Sequence, residues 1–411
     1  MVITGIGPVS PVGIGVDTFW DGLIHGRSGI RRITAFDATG MNVQVLGEVR
    51  DYDPSVWLSP KEIRQTDRVV HMAVGATGLA WIDAGEPDVD RTRVGTIFST
   101  GIGGLGTLLD HHTRYLARPV EERIRTISPF LVPLIMPNSA AGRVSMVFGF
   151  TGPSACVSTA CATGAHATID AYKYVRDGDC DLAIAGGSEA ANLDVTVGSF
   201  DSMQALSRNP DPEKASRPFD RDRDGFVLAE GACALVLEEL SHALDRGARI
   251  YAEIVGYGVT SDAFHIAAPE PSGKAATRAM QMCLQRAGEP PEAVDYINAH
   301  GTATPIGDAT ETRVIKAALG DHAPFVPVSS TKSMTGHMMG AAGAAEIGVA
   351  ALTIARGVIP PTMNYETPDP ECDLDYVPNK ARDVDVRLAL SDAFGFGGHN
   401  AVVAVRKVDE D

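Results

Sequence analysis

The feature that most constrains the fold of this 411-residue chain is a succession of short β-branched runs separated by helical patterns. Short apolar runs bounded by turn residues are typical of buried strands, and helical segments between them predict strands joined by helices. The alternation predicts an α/β fold with largely parallel sheets and helices on their faces. Pro327 makes one run a poor central strand. The predicted strands are residues 2–4, 94–98, 182–184, 251–255, 296–297, 326–329, 388–390 and 401–405.

Two predicted helices, residues 162–175 and 338–355, are apolar on nearly every side. Helices of this kind are buried. Each follows a strand and a glycine-containing turn, and one lies in each half of the chain. We therefore expect two distant copies of one unit, residues 1–245 and residues 246–411.

The apolar stretch 336–357 is long enough to cross a membrane, but Glu346 interrupts it. A charged side chain at the centre of a membrane span is costly, and the many small residues suit a buried helix equally well. We expect a core helix and no membrane span. The first basic residue is Arg27, so no charged segment precedes an apolar one as in a secretory signal, and we expect a cytoplasmic protein.

Charge and cysteine usage exclude several classes of function. The chain carries 35 Lys and Arg against 52 Asp and Glu, a net charge of -17, with no basic run. Nucleic acid and anionic membrane surfaces are therefore poor partners. None of the six cysteines forms a C-x-x-C pair, which argues against a zinc site or a redox dithiol. We expect reduced thiols and no metal held by cysteine.

Residues 157–166, VSTACATGAH, carry the first candidate for chemistry. A β-branched run ends at Cys161 and small residues follow, so the sequence permits a sharp turn with the thiol at a helix start. The helix dipole there favours thiolate and can lower a cysteine pKa from about 8.5 to roughly 3.5–7.5. The alternative is that Cys161 is a small buried apolar residue, as most free cysteines are. Cys156 lacks this context.

His300, Lys332 and His337 each follow a predicted strand, as does the glycine-rich segment 392–399. Ligands in α/β proteins bind beyond the carboxyl ends of strands, so we expect these segments to converge. The glycine-rich segment 101–106 lacks the spacing and the acidic residue of a dinucleotide site. We interpret the other histidines considered, His25, His111, His112, His242 and His322, as ordinary core or surface residues.

Together these motifs resemble the β-ketoacyl-acyl carrier protein synthases of the thiolase-like superfamily, most closely the type II elongating condensing enzymes. The resemblance covers essentially the whole chain and implies a five-layered α/β/α/β/α sandwich from two pseudo-duplicated halves, acting as a homodimer. Its segments are residues 2–7, 159–161, 217–220, 224–227, 298–302, 330–337 and 394–398.

The resemblance implies a decarboxylative Claisen condensation. Cys161 would accept an acyl group from the phosphopantetheine arm of an acyl carrier protein, and malonyl-carrier would then lose carbon dioxide and extend that group by two carbons. His300 and His337 would donate hydrogen bonds to the enolate, with Lys332 orienting the pair. Backbone N–H groups of Cys161 and Phe396 would form the acyl oxyanion hole, and Phe396 would gate entry.

Further roles follow from the same resemblance. No cofactor is expected beyond the pantetheine of the carrier, although a structural monovalent cation is allowed. Three positions depart from the family pattern. Ala267 stands where threonine is usual, Asp392 where asparagine is expected, and His399 where threonine is common. These departures put the bound cation and the placement of water in doubt. The implied sets are Thr302 and Thr304 for the pantetheine arm, Ile102, Ala162 and Phe200 for the acyl pocket, and Glu346 as a buried supporting acid.

Carrier proteins are acidic, so a chain of charge -17 needs a local basic surface to bind one. Residues 59–62, SPKE, have the pattern of a capped helix start. Lys61, Arg64 and Arg68 would lie at i, i+3 and i+7 on one side of that helix, and Arg125 would extend the surface. The alternative is an ordinary solvated helix face.

Several competing functions are weaker. A thiolase uses a second cysteine where Phe396 stands, and coenzyme A-primed starter synthases have asparagine where His337 stands. A non-catalytic chain-length subunit would lack Cys161, and a cysteine hydrolase would release free acid. The ketosynthase subunit of a type II polyketide or polyene synthase, paired with a chain-length factor in a heterodimer, stays open.

Overall fold

Strands and helices alternate along residues 1–408, the part of the chain that this computed structural model describes. The strands are β1 (Val2–Val9), β2 (Ile30–Arg32), β3 (Val45–Gly47), β4 (Val94–Thr100), β5 (Ser154–Ala155), β6 (Leu182–Glu189), β7 (Gly231–Glu238), β8 (Ala252–Ser261), β9 (Tyr296–Asn298), β10 (Val328–Ser329), β11 (Val358–Ile359), β12 (Arg382–Asp383), β13 (Leu388–Gly395) and β14 (His399–Arg406). The α-helices are α1 (Val16–Ile24), α2 (Pro60–Arg64), α3 (Arg68–Asp83), α4 (Leu105–Leu116), α5 (Leu131–Ile135), α6 (Ser139–Phe148), α7 (Thr163–Arg176), α8 (Asp194–Ser202), α9 (Leu240–Asp245), α10 (Lys274–Ala287), α11 (Pro305–Leu319), α12 (Lys332–Thr335) and α13 (Ala342–Arg356).

Ten strands form one hydrogen-bonded sheet in the order β10-β9-β13-β14-β8-β1-β7-β6-β4-β5. From each outer edge inward, two parallel pairings are followed by two antiparallel ones. The halves meet where β1 and β8 pair antiparallel at only two positions, Val2 with Glu253 and Ile3 with Ala252. The expectation of largely parallel sheets is therefore wrong toward the middle, where every pairing is antiparallel.

The two sides of this sheet have the same internal pattern. Strands that precede residue 245 build one side and strands that follow it build the other. Going outward from the centre, β1-β7-β6-β4-β5 corresponds to β8-β14-β13-β9-β10 in the direction of every pairing. This correspondence supports a division of the chain near residue 245, which stays a prediction.

Helices and strands pack in five layers, and the three largest apolar clusters lie between them. Helices α3 and α6 cover the outer face of the first half, and α10 and α11 cover the outer face of the second. Helices α7 and α13 pack against each other between the halves and contact strands of both. The two helices predicted to be buried are therefore the central layer.

Glycines allow α7 and α13 to approach closely. A Cβ added at Gly164 would lie 2.6 Å from the Ala344 nitrogen, and one added at Gly343 would lie 2.7 Å from the Ala165 nitrogen. The segment Met339–Arg356 is apolar and long enough to cross a membrane, but 89% of it is buried inside the protein. It is the core helix that the sequence predicts.

Candidate active site

Cys161 lies in a tight turn ahead of α7. The turn is a 3-10 helix, Ala160–Ala162, and Ala160 has a φ of 52°, a left-handed conformation that is unusual for a residue with a side chain. Gly395, at the end of β13, lies directly behind it: a Cβ there would be 2.5 Å from the Thr159 carbonyl oxygen. Only glycine lets β13 approach the turn this closely, so the local sequence places the thiol at the helix start.

The environment of Cys161 does not lower its pKa. Its side chain is only 4% exposed, and burial raises the pKa of the thiol to about 11. The backbone N–H groups of Phe396 and of Cys161 itself, together with the charge of Lys332, oppose this increase. The expected lowering by the helix dipole is therefore outweighed by the loss of solvation.

The same two backbone N–H groups are the ones expected to form an oxyanion hole. Both N–H groups lower the pKa of the Cys161 thiol, so both lie within hydrogen-bonding reach of its sulfur. Backbone donors that are fixed before reaction stabilise developing negative charge without reorganisation. Their position at the Cys161 sulfur agrees with the expected oxyanion hole, which stays a prediction.

His300 is held at both its backbone and its ring. The Glu311 carboxylate accepts hydrogen bonds from the backbone N–H groups of His300 and Gly301, each at 2.7 Å. The Lys332 ammonium lies 3.5 Å from Nδ1 of His300. An ammonium can only donate, so Nδ1 accepts and the proton of the neutral ring is on Nε2. Burial, the Lys332 charge and His337 hold the pKa of His300 well below its usual value.

Lys332 is fully buried and forms an ion pair with the Glu346 carboxylate of α13. Burial raises the pKa of Glu346, and the Lys332 charge opposes the rise. The ion pair therefore holds the ammonium in position to donate to His300. Its neighbourhood matches the expected roles of Lys332 as the orienting residue and Glu346 as its support, although those roles stay predictions.

His337 is the second imidazole, 2% exposed, with its ring centre 5.4 Å from that of His300 and nearly perpendicular to it. Among the described residues, neither ring nitrogen of His337 has a hydrogen-bond partner. Burial and the Lys332 charge hold the pKa of His337 well below its usual value. A neutral imidazole with an unpaired N–H can donate to an oxygen of a bound substrate.

Phe226 connects the histidines to the cysteine. Its ring lies 5.4 Å from that of His337, and it packs in one apolar cluster with Cys161 and Phe200. Phe396, the expected gate, packs against the same cluster, 6.1 Å from Phe200 between ring centres. The structure thus gathers the expected nucleophile, histidines, lysine and gate in one place.

The remaining expected site residues are only partly in this cluster. Thr302 and Thr304 are joined by a hydrogen bond of 3.1 Å between their hydroxyl groups, two residues beyond His300. Of the expected pocket residues, Phe200 contacts the Cys161 cluster, whereas Ala162 packs in the central core. Ile102 is half-buried in the loop that follows β4.

The docking surface differs from the one expected. Helix α2 ends at Arg64, and Arg68 is the first residue of α3, so the three basic residues do not share one helix. The cause is a chain turn at residues 65–67, where Asp67 caps α3. Arg68 also pairs with Glu230 and donates to the Val49 carbonyl, so it is less free to bind a partner. Lys61 and Arg64 are exposed, as is Arg125 in the 3-10 turn Arg123–Thr126.

Several buried oxygen atoms in β9, β13 and α13 have no hydrogen-bond partner within residues 1–408. Among the described residues, Asn298 Oδ1, Glu346 Oε2 and both carboxylate oxygens of Asp392 are buried without a hydrogen-bond partner. Burial and the nearby Glu346 charge raise the pKa of Asp392 to about 8, with Lys332 opposing. Unpaired oxygens of this kind suit a hard cation. Of these residues, the resemblance links only Glu346 to a monovalent cation, and Asp392 is one of the departures that put that cation in doubt, so the cation stays a prediction.

Sequence reasoning missed Glu311, the residue that fixes the backbone of His300. The signal that could have found it is in α11, where Asp308 and Glu311 lie at i and i+3 among residues that are mostly small or apolar. Asp308 also accepts from the backbone N–H of Ala303 in the loop after His300. Two acidic residues on the buried side of a helix need partners, and here the partners are the backbone of the site.

Comparison with known families matches residues 1–243 to the Beta-ketoacyl synthase, N-terminal domain, and residues 251–366 to the Beta-ketoacyl synthase, C-terminal domain. The chain belongs to the beta-ketoacyl synthase family. Curated relatives span nearly the same length. They include proteins named 3-oxoacyl-[acyl-carrier-protein] synthase 2 from Synechocystis sp., 48% identical over 99% of this chain and 98% of the relative, and from Coxiella burnetii, 46% identical over the same shares.

Solved structures of ketosynthases have the same fold. One is a type II polyketide ketosynthase in complex with its acyl-carrier protein, AntDE:AntF, with a TM-score of 0.92 and 34% identity. Another is the ishigamide ketosynthase/chain length factor, with a TM-score of 0.92 and 36% identity. Each match covers 99% of both chains. These similarities confirm the predicted thiolase-like sandwich and the predicted family.

Proposed function

We propose that this chain is an elongating β-ketoacyl-acyl carrier protein synthase, which extends an acyl group held on Cys161 by two carbons taken from malonyl-acyl carrier protein. The observation that carries the proposal is the buried cluster of Cys161 and two neutral imidazoles, with Lys332 fixing the proton of one imidazole on Nε2. The names of the relatives, 3-oxoacyl-[acyl-carrier-protein] synthase 2, agree with this reading.

The first half-reaction transfers the acyl group. The Cys161 sulfur attacks the thioester carbon of acyl-carrier, the thiol proton leaves, and the carbonyl oxygen becomes an oxyanion. Backbone N–H groups of Cys161 and Phe396 stabilise that charge. The carrier sulfur then leaves as the carbonyl reforms, and it takes up one proton in place of the one released from the Cys161 thiol, so that acyl transfer exchanges one thiol for another. Because burial raises the pKa of Cys161 to about 11, the thiol proton must be removed as the acyl group arrives.

The second half-reaction builds the new bond. As the malonyl carboxylate leaves as carbon dioxide, its electron pair moves into the thioester and charge develops on the thioester oxygen. Nε2–H of His300 and a ring N–H of His337 donate to that oxygen. The resulting carbanion attacks the acyl carbon on Cys161, and the sulfur leaves as thiolate.

The same chemistry would serve a type II polyketide or polyene synthase. The similarity to polyketide ketosynthase structures favours this alternative, whereas the higher identity to the curated relatives favours fatty acid synthesis. The test is mass spectrometry of products formed by purified protein from malonyl-carrier and a series of acyl-carriers, with Cys161→Ala as control. A single two-carbon extension supports fatty acid elongation. Free acid would instead indicate a hydrolase, and activity only with a second subunit would favour the polyketide system.

An acyl carrier protein is the proposed partner. Of the expected docking residues, Lys61 and Arg64 are exposed and have no salt bridge within residues 1–408, so they can bind an acidic surface. Arg125 is exposed as well, but it lies within segment 108–136, which is proposed below as the contact between copies, so the docking proposal rests on Lys61 and Arg64. We propose no cofactor beyond the pantetheine arm, which Thr302 and Thr304 would contact. A cytoplasmic location stays a prediction, and the burial of Met339–Arg356 supports it.

A homodimer is the proposed assembly, with a heterodimer as the alternative. Among the described residues, eight of the eighteen exposed large apolar side chains lie between residues 108 and 136. Exposed apolar side chains that are concentrated in one segment, rather than scattered singly, often mark an interface. The segment 108–136, called the apolar segment below, is therefore the proposed contact between copies.

A further inference from the structure

Two side chains of helix α7 close the turn from Thr159 to Thr163 that carries Cys161, called the nucleophile turn below. The hydroxyl oxygen of Thr163 accepts the backbone N–H of Thr159 at 2.9 Å. Further along the helix, ring nitrogen Nδ1 of His166 lies 3.1 Å from the carbonyl oxygen of Ala162 and 3.1 Å from the hydroxyl oxygen of Thr159. The His166 ring therefore joins the two ends of the turn, with the nucleophile between them.

These contacts place the proton of the His166 ring. The carbonyl oxygen of Ala162 can only accept, so Nδ1 donates and the single proton of the neutral ring is on Nδ1. Burial holds the pKa of His166 below its usual value, although the bond to Ala162 opposes the change. The ring is therefore neutral at physiological pH, with its N–H directed at the nucleophile turn. His300 has the opposite arrangement, since its proton is on Nε2.

Residues 395–399, called the gate turn below, pack against the same ring. His399 is opposite Gly395 in the pairing of β13 with β14, and its ring centre lies 6.4 Å from that of His166, with the two rings nearly perpendicular. A Cβ added at Gly397 would lie 3.2 Å from Nε2 of His399, so the His399 ring lies beside the backbone of the gate turn. His166 is thus bonded to one turn and packed against the other.

The two turns supply the two donors expected for the acyl oxyanion. Cys161 provides a backbone N–H from the nucleophile turn, and Phe396 provides one from the gate turn. Both act on one oxygen only if the turns keep a fixed distance from each other, because donors must lie about 2.7–3.1 Å from the oxyanion. A displacement of about 1 Å can slow an enzyme about 10²-fold. A side chain that contacts both turns can set this distance.

We propose that His166 is a positioning residue for acyl transfer, which fixes the spacing of the two oxyanion donors by holding the nucleophile turn against the gate turn. The inference rests on the proposed function, in which these two backbone N–H groups stabilise the acyl oxyanion. The ring acts through its Nδ1–H on the nucleophile turn and through its contact with His399 on the gate turn. Threonine is common at position 399 in the family that the sequence resembles, so the contact between two imidazoles is a feature of this chain.

Three replacements of His166 test which ring nitrogen matters. Asparagine places an NH2 group where Nδ1 is, whereas glutamine places one near Nε2. We expect His166→Ala and His166→Gln to lower the maximal rate of Cys161 acylation about tenfold, less than the loss of a whole oxyanion donor, which costs about 10²–10³-fold. His166→Asn should stay within about threefold of the parent. Glutamine is the better helix former, so an effect on helix stability alone predicts the opposite order.

The measurement is single-turnover acylation by acyl-carrier, followed by intact-protein mass. It gives the maximal rate, the final acylated fraction and the carrier concentration at half the maximal rate. A displaced donor lowers the rate and leaves the final fraction complete, whereas loss of folded protein lowers the final fraction. The half-saturating concentration should change less than about twofold, because Lys61 and Arg64 are unaltered.

His322→Ala is the matched control. His322 is also half-buried, and its Nε2 lies 3.0 Å from the carbonyl oxygen of Val294, so the variant loses the same kind of contact in the turn Gly320–Phe325. It should match the parent in rate and in final fraction.

A double-mutant cycle tests the connection to the gate turn and keeps the inference testable should His166→Ala fold poorly. His399→Thr removes the second imidazole at a half-buried position. The rate of His166→Asn combined with His399→Thr, and that of His166→Ala combined with His399→Thr, are compared with those of the single variants. Residues in contact are not independent, so the combined loss for His166→Ala should differ from the product of the single losses by at least about threefold.

The outcomes are distinguishable. Slow but complete acylation in His166→Ala and His166→Gln, recovery in His166→Asn and a non-additive cycle with His399→Thr support the inference. Parental rates in all three His166 variants, or equal slowing in all three, overturn it and leave the proposed function standing. A lower final fraction at an unchanged rate, or a cycle in which the losses multiply, also overturns it. A parent protein that accepts no acyl group would instead overturn the proposed function, and the inference with it.

Discussion

The chemistry of the two histidines depends on which ring nitrogen carries the proton. Lys332 donates to Nδ1 of His300, so the other nitrogen must be the donor in the neutral ring. The low pKa of both histidines, caused chiefly by burial, keeps them neutral at physiological pH. Two neutral donors suit an oxygen that becomes negative during decarboxylation, since they need no proton from solvent.

Replacing His300 or His337 with alanine should therefore slow decarboxylation. Loss of one oxyanion donor removes roughly 3 kcal/mol of transition-state stabilisation, about two to three powers of ten in rate. Acyl transfer should fall less, because its oxyanion is held by backbone N–H groups that neither change removes. The measurements are carbon dioxide release from malonyl-carrier and intact-protein mass after incubation with acyl-carrier.

Cys161→Ala and His25→Ala are the controls for these variants. Cys161→Ala should abolish acylation and condensation, whereas His25→Ala alters an exposed histidine paired with Asp21 and should match the parent. If both site variants lose acylation as completely as Cys161→Ala, a histidine must take the thiol proton. The division of labour between the cysteine and the two histidines would then be wrong.

A second prediction concerns the buried ion pair of Lys332 and Glu346. Lys332→Met should destabilise the protein by about 3–5 kcal/mol, because it leaves a buried carboxylate without its cation. Lys332→Met combined with Glu346→Leu should recover most of that stability, since an apolar pair can replace a buried ion pair. Denaturant unfolding measures both.

Activity distinguishes this ion pair from a purely structural one. The double variant should stay defective in decarboxylation because nothing then donates to Nδ1 of His300, so its Nε2 proton is no longer fixed. Recovery of both stability and decarboxylation in the double variant would show that Lys332 does not orient the imidazole. Failure to recover stability would show that the neighbourhood needs the charges themselves.

The candidate catalytic residues could be predicted from the sequence, but the direction in which the structure shifts their pKa values could not. Cys161, His300, Lys332 and His337 each follow a strand, and strand ends meet at one edge. The pKa of Cys161 depends on how completely later segments bury it, and those contacts are far apart in the chain. Glu311 could not be predicted for a similar reason. Its partners are backbone N–H groups in the loop after β9, and the sequence of α11 does not show that this loop lies beside it.

At the scale of elements, the site depends on two helices that meet through glycine. Cys161 precedes α7 and Glu346 lies on α13, so the spacing of these helices sets the distance between nucleophile and lysine support. The small residues that make both helices unusual in the sequence are the ones at the crossing. Helix burial could thus be predicted, whereas the partner of each helix could not.

Gly343→Ala should destabilise the protein by about 1–3 kcal/mol, because its Cβ would lie 2.7 Å from the Ala165 nitrogen and must separate the helices. Gly142→Ala in α6 is the matched control: nothing lies within 4 Å of its Cβ position. That change should instead stabilise by about 0.5–1 kcal/mol through helix propensity. Thermal and denaturant unfolding would compare them, and equal effects would contradict the close crossing.

Helix α2 and the start of α3 provide the next prediction. Lys61→Glu combined with Arg64→Glu should raise the KM for acyl-carrier roughly tenfold at low ionic strength, because both side chains are exposed and face an acidic partner. The difference from the parent should shrink as salt screens the charges. Lys274→Glu with Arg278→Glu in α10 changes the net charge equally and is the control, since both side chains are exposed and form no salt bridge within residues 1–408.

If salt changes the KM for acyl-carrier equally in the parent and in Lys61→Glu with Arg64→Glu, then α2 is not part of the docking surface. Arg68 is unsuited to this test, since its reversal would also break the pair with Glu230. The helix boundary explains why the sequence suggested otherwise. Spacing of i, i+3 and i+7 assumes one continuous helix, and the turn at residues 65–67 divides it.

Strand β7 shows the limit of pattern reading for the sheet. It is absent from the predicted strands because Gly231, Ala232 and Ala234 dilute its β-branched content. It nevertheless runs antiparallel between β1 and β6, and so sets the mixed character of the first half. Fully buried strands accept small residues wherever helices pack closely, and the sequence alone does not show where that occurs.

For the whole molecule, the apolar segment 108–136 is the feature that a single chain leaves unexplained. Val120, Ile124, Phe130 and Val132 are each more than half exposed. Isolated exposed apolar residues are common, but a run of them in one segment leaves a surface that a soluble protein normally covers. A second copy of the chain would cover this surface without any other protein. Stable dimers bury at least about 1,200 Å² of surface in total, so the contact must include neighbouring residues as well.

Ile124→Asp combined with Phe130→Asp should therefore convert a dimer into a monomer, because each copy would bring two unpaired carboxylates into an apolar contact. Native mass at micromolar concentration measures this, with Ile82→Asp and Phe325→Asp as the control, since those residues are exposed on other elements. The parent and the control should have twice the mass of the chain. A monomeric parent that pairs only with a different ketosynthase-like chain would establish the heterodimer instead. A variant that stays dimeric would place the contact outside the apolar segment.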